Sequence, residues 1–231
     1  MNDTVGRLRS LFPSHHLDVI VGSLLGDARL ECRSTGVRSL VTARFRVHHG
    51  FRQKDYVFWK YEILKDLVIR GPREISWANP KRDIHEVSWY FHTKSLKDLG
   101  ILHSFFYRNG VKILPERIFD LLNPVVLAVW FMDDGSNNGT GLTINTHGFE
   151  KEDQERILKF LRDTYSIDAT LVKDRNKWKI AIGSKYMKSF LSIIKPHIIL
   201  SMNYKIDNPR NDLFHPEQSE NTILANTSVS S

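Results

Sequence analysis

Two stretches of this chain are apolar on every side of a helix, and each runs straight into carboxylate: "LDVIVGSLLGD" at residues 17–27 and "VVLAVWFMDDG" at 125–135. A helix with no polar face belongs inside a protein, so both are expected as interior elements. The second opens on Asn123 and Pro124, a capping residue followed by one whose missing N–H costs nothing in a first helical turn. An interior helix that ends in Asp133 and Asp134 is either reaching solvent or delivering an acid to a place that needs one.

The same order of elements follows each helix. After the first, "RLECRSTG" reads as a strand that turns at Ser34 to Gly36 into a partner of period two. Val37, Ser39, Val41, Ala43, Phe45 and Val47 take one face of that partner, and Arg38, Thr42, Arg44, Arg46 and His48 the other. Residues 53–69 predict a helix burying Val57, Tyr61, Leu64 and Val68, closed by Gly71 and Pro72. Strands at 74–78 and in "IHEVSWYFHT" and a helix over 95–106 complete the unit. After the second apolar helix come a strand "GTGLTINT", a helix over 151–165, a hairpin "DATLVKDRNKWKIAIGS" and a helix over 185–195. One order met twice implies two repeats, each holding a whole sheet.

Composition narrows the function classes. The 231 residues can bury one sizeable core or two small ones. A net charge of +7, from 33 Lys and Arg against 26 Asp and Glu, favours a polyanionic partner, although an anionic membrane surface fits the same balance. The single Cys32 excludes an intramolecular disulfide and any Cys-rich zinc cluster, and suits a reducing compartment. The opening residues lack the apolar core of a signal peptide, and no run of about 18 apolar residues follows. A soluble intracellular protein without membrane partner is expected, with cytoplasm, nucleoid and organelle matrix equally open. The pairs His15-His16 and His48-His49, and His85, show no zinc spacing and are read as surface or packing residues. Trp59, Trp77, Trp89, Trp130 and Trp178 are read as core.

The segments "IVGSLLGDA" (20–28) and "LAVWFMDDG" (127–135) resemble the two signature motifs of a single-chain LAGLIDADG homing endonuclease. Aligned, the last acidic position of the motif falls on Asp27 and Asp134. Downstream, "YRNGVKILPERI" carries Lys112 and "LSMNYKIDNP" carries Lys205, where members similar to this one carry a lysine in each half. The resemblance covers residues 17–209 and departs from the pattern where Val129 stands against Gly22 and Asp133 against Gly26. It implies a mixed α/β (α+β) protein: two pseudo-symmetric αββαββα repeats that form a saddle of antiparallel sheets over DNA. The domains expected are an arm at 1–16, repeats at 17–118 and 119–208, and a mobile tail at 209–231, rich in Asn, Ser, Pro and Thr.

What the resemblance implies chemically agrees with phosphodiester hydrolysis. Magnesium is commonly held by one or two carboxylates, with water and phosphate completing its shell, so one aspartate per repeat suffices. Asp27 and Asp134 are the expected ligands of Mg2+ or Mn2+, with the main-chain oxygens of Gly26 and Asp133 added and the Asp133 side chain unassigned. Lys112 and Lys205 would stabilise developing charge or position the attacking water. A two-stranded ribbon enters the major groove of duplex DNA. Arg29, Arg33, Arg38, Thr42, Arg44, Arg46 and His48 in one half, and Lys173, Arg175, Lys177 and Lys179 in the other, are the expected DNA contacts, unless they are simply the wet faces of the sheets. The reading is a monomeric, intron-encoded endonuclease that breaks both strands of a long asymmetric site. Its rivals are an RNA maturase acting on intron RNA with the same scaffold, and a non-catalytic DNA-binding regulator. An intein origin is not expected, because neither end carries splicing residues.

Overall fold

A computed structural model describes residues 3–32, 41–79 and 84–207, without the side chains of residues 78, 79, 84 and 85. The expected tail, the DNA contacts Arg33 and Arg38, the face residues Val37 and Ser39 and the side chain of His85 lie outside the described residues. The chain begins with α1 (Thr4–Leu11), capped by the Asp3 carboxylate, which accepts from the Gly6 N–H at 3.0 Å. It is more than an arm, because Val5 and Leu8 enter the core. The first apolar helix, α2 (Ser14–Leu25), follows. Then come β1 (Arg29–Cys32), β2 (Ala43–Gly50), α3 (Lys54–Leu64), β3 (Arg73–Asn79), β4 (Ile84–His92) and α4 (Lys97–Phe106). A two-stranded ribbon, β5 (Tyr107–Arg108) and β6 (Val111–Lys112), turns at Asn109 and Gly110, both left-handed with φ of 51° and 77°.

The second repeat is α5 (Pro124–Asp134), β7 (Gly135–Asn137), β8 (Gly141–Ile144), α6 (Lys151–Tyr165), β9 (Thr170–Asp174), β10 (Lys177–Gly183) and α7 (Ser184–Ile194). A short α8 (Tyr204–Asp207) ends the described chain. Both sheets are antiparallel with one topology, β1-β2-β4-β3 and β7-β8-β10-β9, so the duplicated order in the sequence is a duplicated fold. The second sheet starts with a strand that sequence reading passed over. β7 follows the acids of α5 directly and pairs with β8, as Ser136 faces Thr143.

A single apolar core runs through both repeats, and its centre is the pair α2 and α5. Leu17, Val19, Ile20, Val21, Leu24 and Leu25 of α2 are buried, as is every residue of α5 from Val126 to Asp133. Each large apolar side chain so buried contributes about 1.5–3 kcal/mol. The Asn123 cap forms as expected, its side-chain oxygen accepting from the Val126 N–H at 3.0 Å.

Three local expectations need correction. The helix expected to reach residue 69 stops at Leu64 and continues as a 3-10 turn, because Val68 instead bridges Thr93 in strand geometry, leaving Tyr61 and Val68 only half-buried. Val41 is 45% exposed, since the alternation of β2 starts only at Ala43. Trp77 is 50% exposed, because β3 is the sheet's outer strand and has one neighbour. Trp130 is fully buried, and Trp59, Trp89 and Trp178 are half-buried.

Candidate active site

The feet of the two central helices deliver the acids. The Gly26 N–H donates to the Gly22 carbonyl at 3.2 Å and the Ala28 N–H to the Ser23 carbonyl at 2.9 Å, a closed turn that leaves Asp27 at the mouth. At the other helix the Asp134 carbonyl accepts from the Asn145 N–H at 3.0 Å, which ties the end of α5 to the strand beside it. The helices touch where side chains are missing. A Cβ on Gly22 would lie 2.6 Å from Cβ of Val129, and one on Gly26 would lie 2.5 Å from Cβ of Asp133. The two departures from the signature are therefore complementary: Val129 and Asp133 fill the notches that Gly22 and Gly26 leave open.

Both expected lysines arrive at this place. Lys112, on the ribbon strand β6, donates through Nζ to the carbonyls of Gly26 at 3.1 Å and Ala28 at 2.8 Å. Lys205, on α8, donates to the Asp133 carbonyl at 2.7 Å. Each ammonium thus grips the residue just before its repeat's acid. An ammonium has three protons, so one on Lys112 and two on Lys205 remain for water or phosphate oxygen.

Behind Asp133 lies a set of side chains that sequence reading missed. Lys60 of α3 is fully buried and donates to Oδ1 of Asp133 at 2.7 Å and to Nε2 of His49 at 3.3 Å. Because Lys60 can only donate, Nε2 must accept, and the imidazole proton sits on Nδ1, the atom 3.7 Å from Oδ2 of Asp27. The other oxygen of Asp133 accepts from the main-chain N–H of Asp27 at 3.3 Å. The Asp133 side chain, unassigned in the sequence, is thus the bridge between the two motifs. His49, placed with surface or packing residues, is buried beside both acids. Its signal was the alternation of β2, which puts His49 on the inner face with Phe45 and Val47.

Electrostatics set these groups apart. Burial, then the charges of Asp27 and Asp133, push the Asp134 carboxyl up to about 7. Burial and the Asp133 charge also raise Asp27. Burial and the Lys60 ammonium hold His49 down at about 3, so it is neutral at ordinary pH. Burial lowers Lys112 and Lys205, against the pull of the nearby acids. Carboxylates forced together at a partly buried mouth favour a hard cation, and their oxygen donors could hold Mg2+ or Mn2+.

Beside Asp134 a cavity of about 330 Å³ is lined by Asp133, Asp134, Thr143, Asn145, Lys179 and Lys205. Lys179, named from the hairpin pattern, therefore faces the site, held at 2.9 Å by Asp174. Lys173 and Arg175 are exposed, and Lys177 donates to the His147 carbonyl at 2.9 Å. On the first sheet Arg29, Arg44 and Arg46 converge on Glu31, at 2.9, 2.6 and 3.3 Å. Burial would raise this carboxyl, but hydrogen bonds from the three arginines bring it down to about 2. Thr42 precedes β2, and His48 lies 2.8 Å from the Ser88 hydroxyl.

Residues 17–190 match a family model described as the LAGLIDADG DNA endonuclease family. The DNA endonuclease I-ChuI of Chlamydomonas applanata is 32% identical, over 82% of this chain and 93% of its own length. Cytochrome b mRNA maturase bI2 of Debaryomyces hansenii is 29% identical, over 83% of this chain and 73% of its own. The homing endonuclease I-WcaI, solved bound to its DNA recognition sequence, superposes with a TM-score of 0.76 at 22% identity, over 87% of this chain and 91% of that one. I-DmoI, solved with DNA and Mn, gives 0.51 at 14%, over 78% and 96%. These two superpositions establish the same fold. Among the described residues, no helix is long and apolar enough to cross a membrane.

Proposed function

The chain belongs to the LAGLIDADG DNA endonuclease family, and on that footing we propose that it is a homing endonuclease, breaking both strands of a long asymmetric DNA site at which an intron inserts. The observation that carries the reading is the pairing of Asp27 and Asp134 at the feet of α2 and α5, each with a lysine on the preceding carbonyl. A monomer supplies both catalytic halves, as repeats spanning residues 17–118 and 119–208.

A divalent ion, Mg2+ or Mn2+, would neutralise phosphate charge and supply a water of lowered pKa. Asp27 and Asp134 would hold it, with the carbonyls of Gly26 and Asp133 as further oxygen donors. Lys112 and Lys205 present their remaining protons to the scissile phosphates and share the charge that develops there. Lys179 extends the same cationic wall along the groove beside Asp134. The outward positions of the two sheets read the duplex on either side, and because arginines dominate one sheet and lysines the other, the two half-sites differ.

The test is cleavage of duplex DNA carrying the rejoined exons that flank the gene, in Mg2+. Asp27→Asn and Asp134→Asn should each lose at least a hundred-fold in rate while still shifting the duplex in Ca2+. Unchanged cutting would remove the metal role. A second reading, RNA maturase, draws on the likeness to the cytochrome b mRNA maturase. It is separated by splicing of the host intron with and without the protein.

A further inference from the structure

The two repeats share one strand order, so their registers can be set against each other, and one place breaks the correspondence. Arg29 faces Arg46 in the first sheet and Ser136 faces Thr143 in the second. With Asp27 set against Asp134, this register places His49 opposite Thr146, Lys60 opposite Ile157, and Gly26 opposite Asp133. In the second repeat Ile157 is apolar and buried, and the Thr146 hydroxyl donates to Gln154 at 2.7 Å. Across the seam from them, Gly26 stands in the place that Asp133 takes on the other side, and it has no side chain. The corresponding set around the first repeat is His49 and Lys60 with Asp133, which reaches across the seam from the second repeat, so it holds a histidine and a buried ion pair. A buried lysine therefore stands where the first repeat backs the site, and an isoleucine takes its place in the second.

Asp27, His49 and Asp133 offer ligand atoms within 4.8 Å of one another, which is the spacing of a metal site. The Lys60 ammonium already lies 2.7 Å from Asp133 and 3.3 Å from His49. It supplies the cation that this group needs, so the cluster is an ion-pair support and not a further metal centre. What it supports is specific, since Asp133 holds the Asp27 N–H and His49 places Nδ1 3.7 Å from the Asp27 carboxylate.

We infer that Lys60 is a positioning residue for the Asp27 end of the active site, so that the two repeats hold their acids unequally and the two strands are cut at rates that Lys60 sets apart. The inference rests on the nuclease reading above. Lys60 touches neither phosphate nor cation in this account, and acts through Asp133 and His49.

Lys60→Met alone strands a buried carboxylate and can fail to fold. Lys60→Met combined with Asp133→Asn removes both charges at nearly constant volume, a change that buried ion pairs often tolerate. The full-length double variant is compared with the wild type on duplex labelled on each strand in turn, under single turnover in Mg2+. The expected result is unchanged binding in Ca2+, one strand's nicking constant lowered about ten-fold or more, and the other's lowered less than about three-fold. Equal slowing of both strands, or none, would overturn the inference. If the wild type cuts no duplex, the nuclease reading fails by itself, and the Asp27 amide resonance decides the positioning role. An upfield shift in the double variant supports it, and an unmoved resonance removes it.

Discussion

Asp134 carries the largest raised carboxyl value in the site, about 7, with burial as its first cause and the charges of Asp27 and Asp133 next. Its ordinary value is 3.8, so between about pH 4 and pH 7 the folded chain keeps a proton that the unfolded chain has released. The contribution of this group to stability is full below about pH 4 and is lost as pH rises through about 7. In metal-free protein, Asp134→Asn should therefore raise stability at pH 8 by roughly 1–3 kcal/mol and flatten the loss between pH 5 and 8, discounting for solvent screening at a half-buried group. Urea unfolding at the two pH values measures it, and a variant as pH-sensitive as the wild type would contradict the assignment. The residue scale is also where the sequence was most informative about the acids. A motif of nine residues located Asp27 and Asp134, the downstream segments of the same resemblance named Lys112 and Lys205, and the structure brings all four near one another. It was silent about Lys60, because a lysine on a helix is ordinarily a solvated one, and only the fold reveals that Lys60 points inward.

The elements show how small side chains become a seam. Gly22 is required by the approach of Val129 and the Val126 carbonyl, 2.6 and 2.8 Å from a built Cβ. Gly22→Ala should destabilise by about 1–3 kcal/mol and lower Tm by roughly 2–12 °C, read by calorimetry. At the strand scale, Glu31 gathers three arginines that face outward on β1 and β2. Glu31→Ala should release them to phosphates, tightening non-cognate binding and steepening its salt dependence by about one unit of slope. A slope equal to that of the wild type would mean that these arginines stay off the DNA. Helix and strand periods were legible in the sequence: α6 and the inner face of β2 from Ala43 onward fell where the pattern put them. The three-residue β7 and the two-residue strands of the ribbon were not, since so few residues carry no period.

Across the whole molecule, the two repeats share one core because α2 of the first packs directly against α5 of the second. Unfolding should accordingly be a single cooperative transition, with calorimetric and van't Hoff enthalpies in agreement. Two resolved transitions would mean that the repeats are independent domains. The sequence by itself determined that there are two repeats, that each starts with an interior helix ending in acid, and that cationic strands accompany them. It did so because periodicity, capping and apolar runs are local properties of a chain. Only the tertiary structure decided that Val129 and Asp133 fill the gaps at Gly22 and Gly26, that Lys60 and His49 stand behind Asp133 while Ile157 and Thr146 take the matching places in the second repeat, and that Glu31 gathers three arginines. Those are contacts between residues far apart in the chain, and their energies depend on distance and exclusion of water, neither of which is written in the spacing of letters.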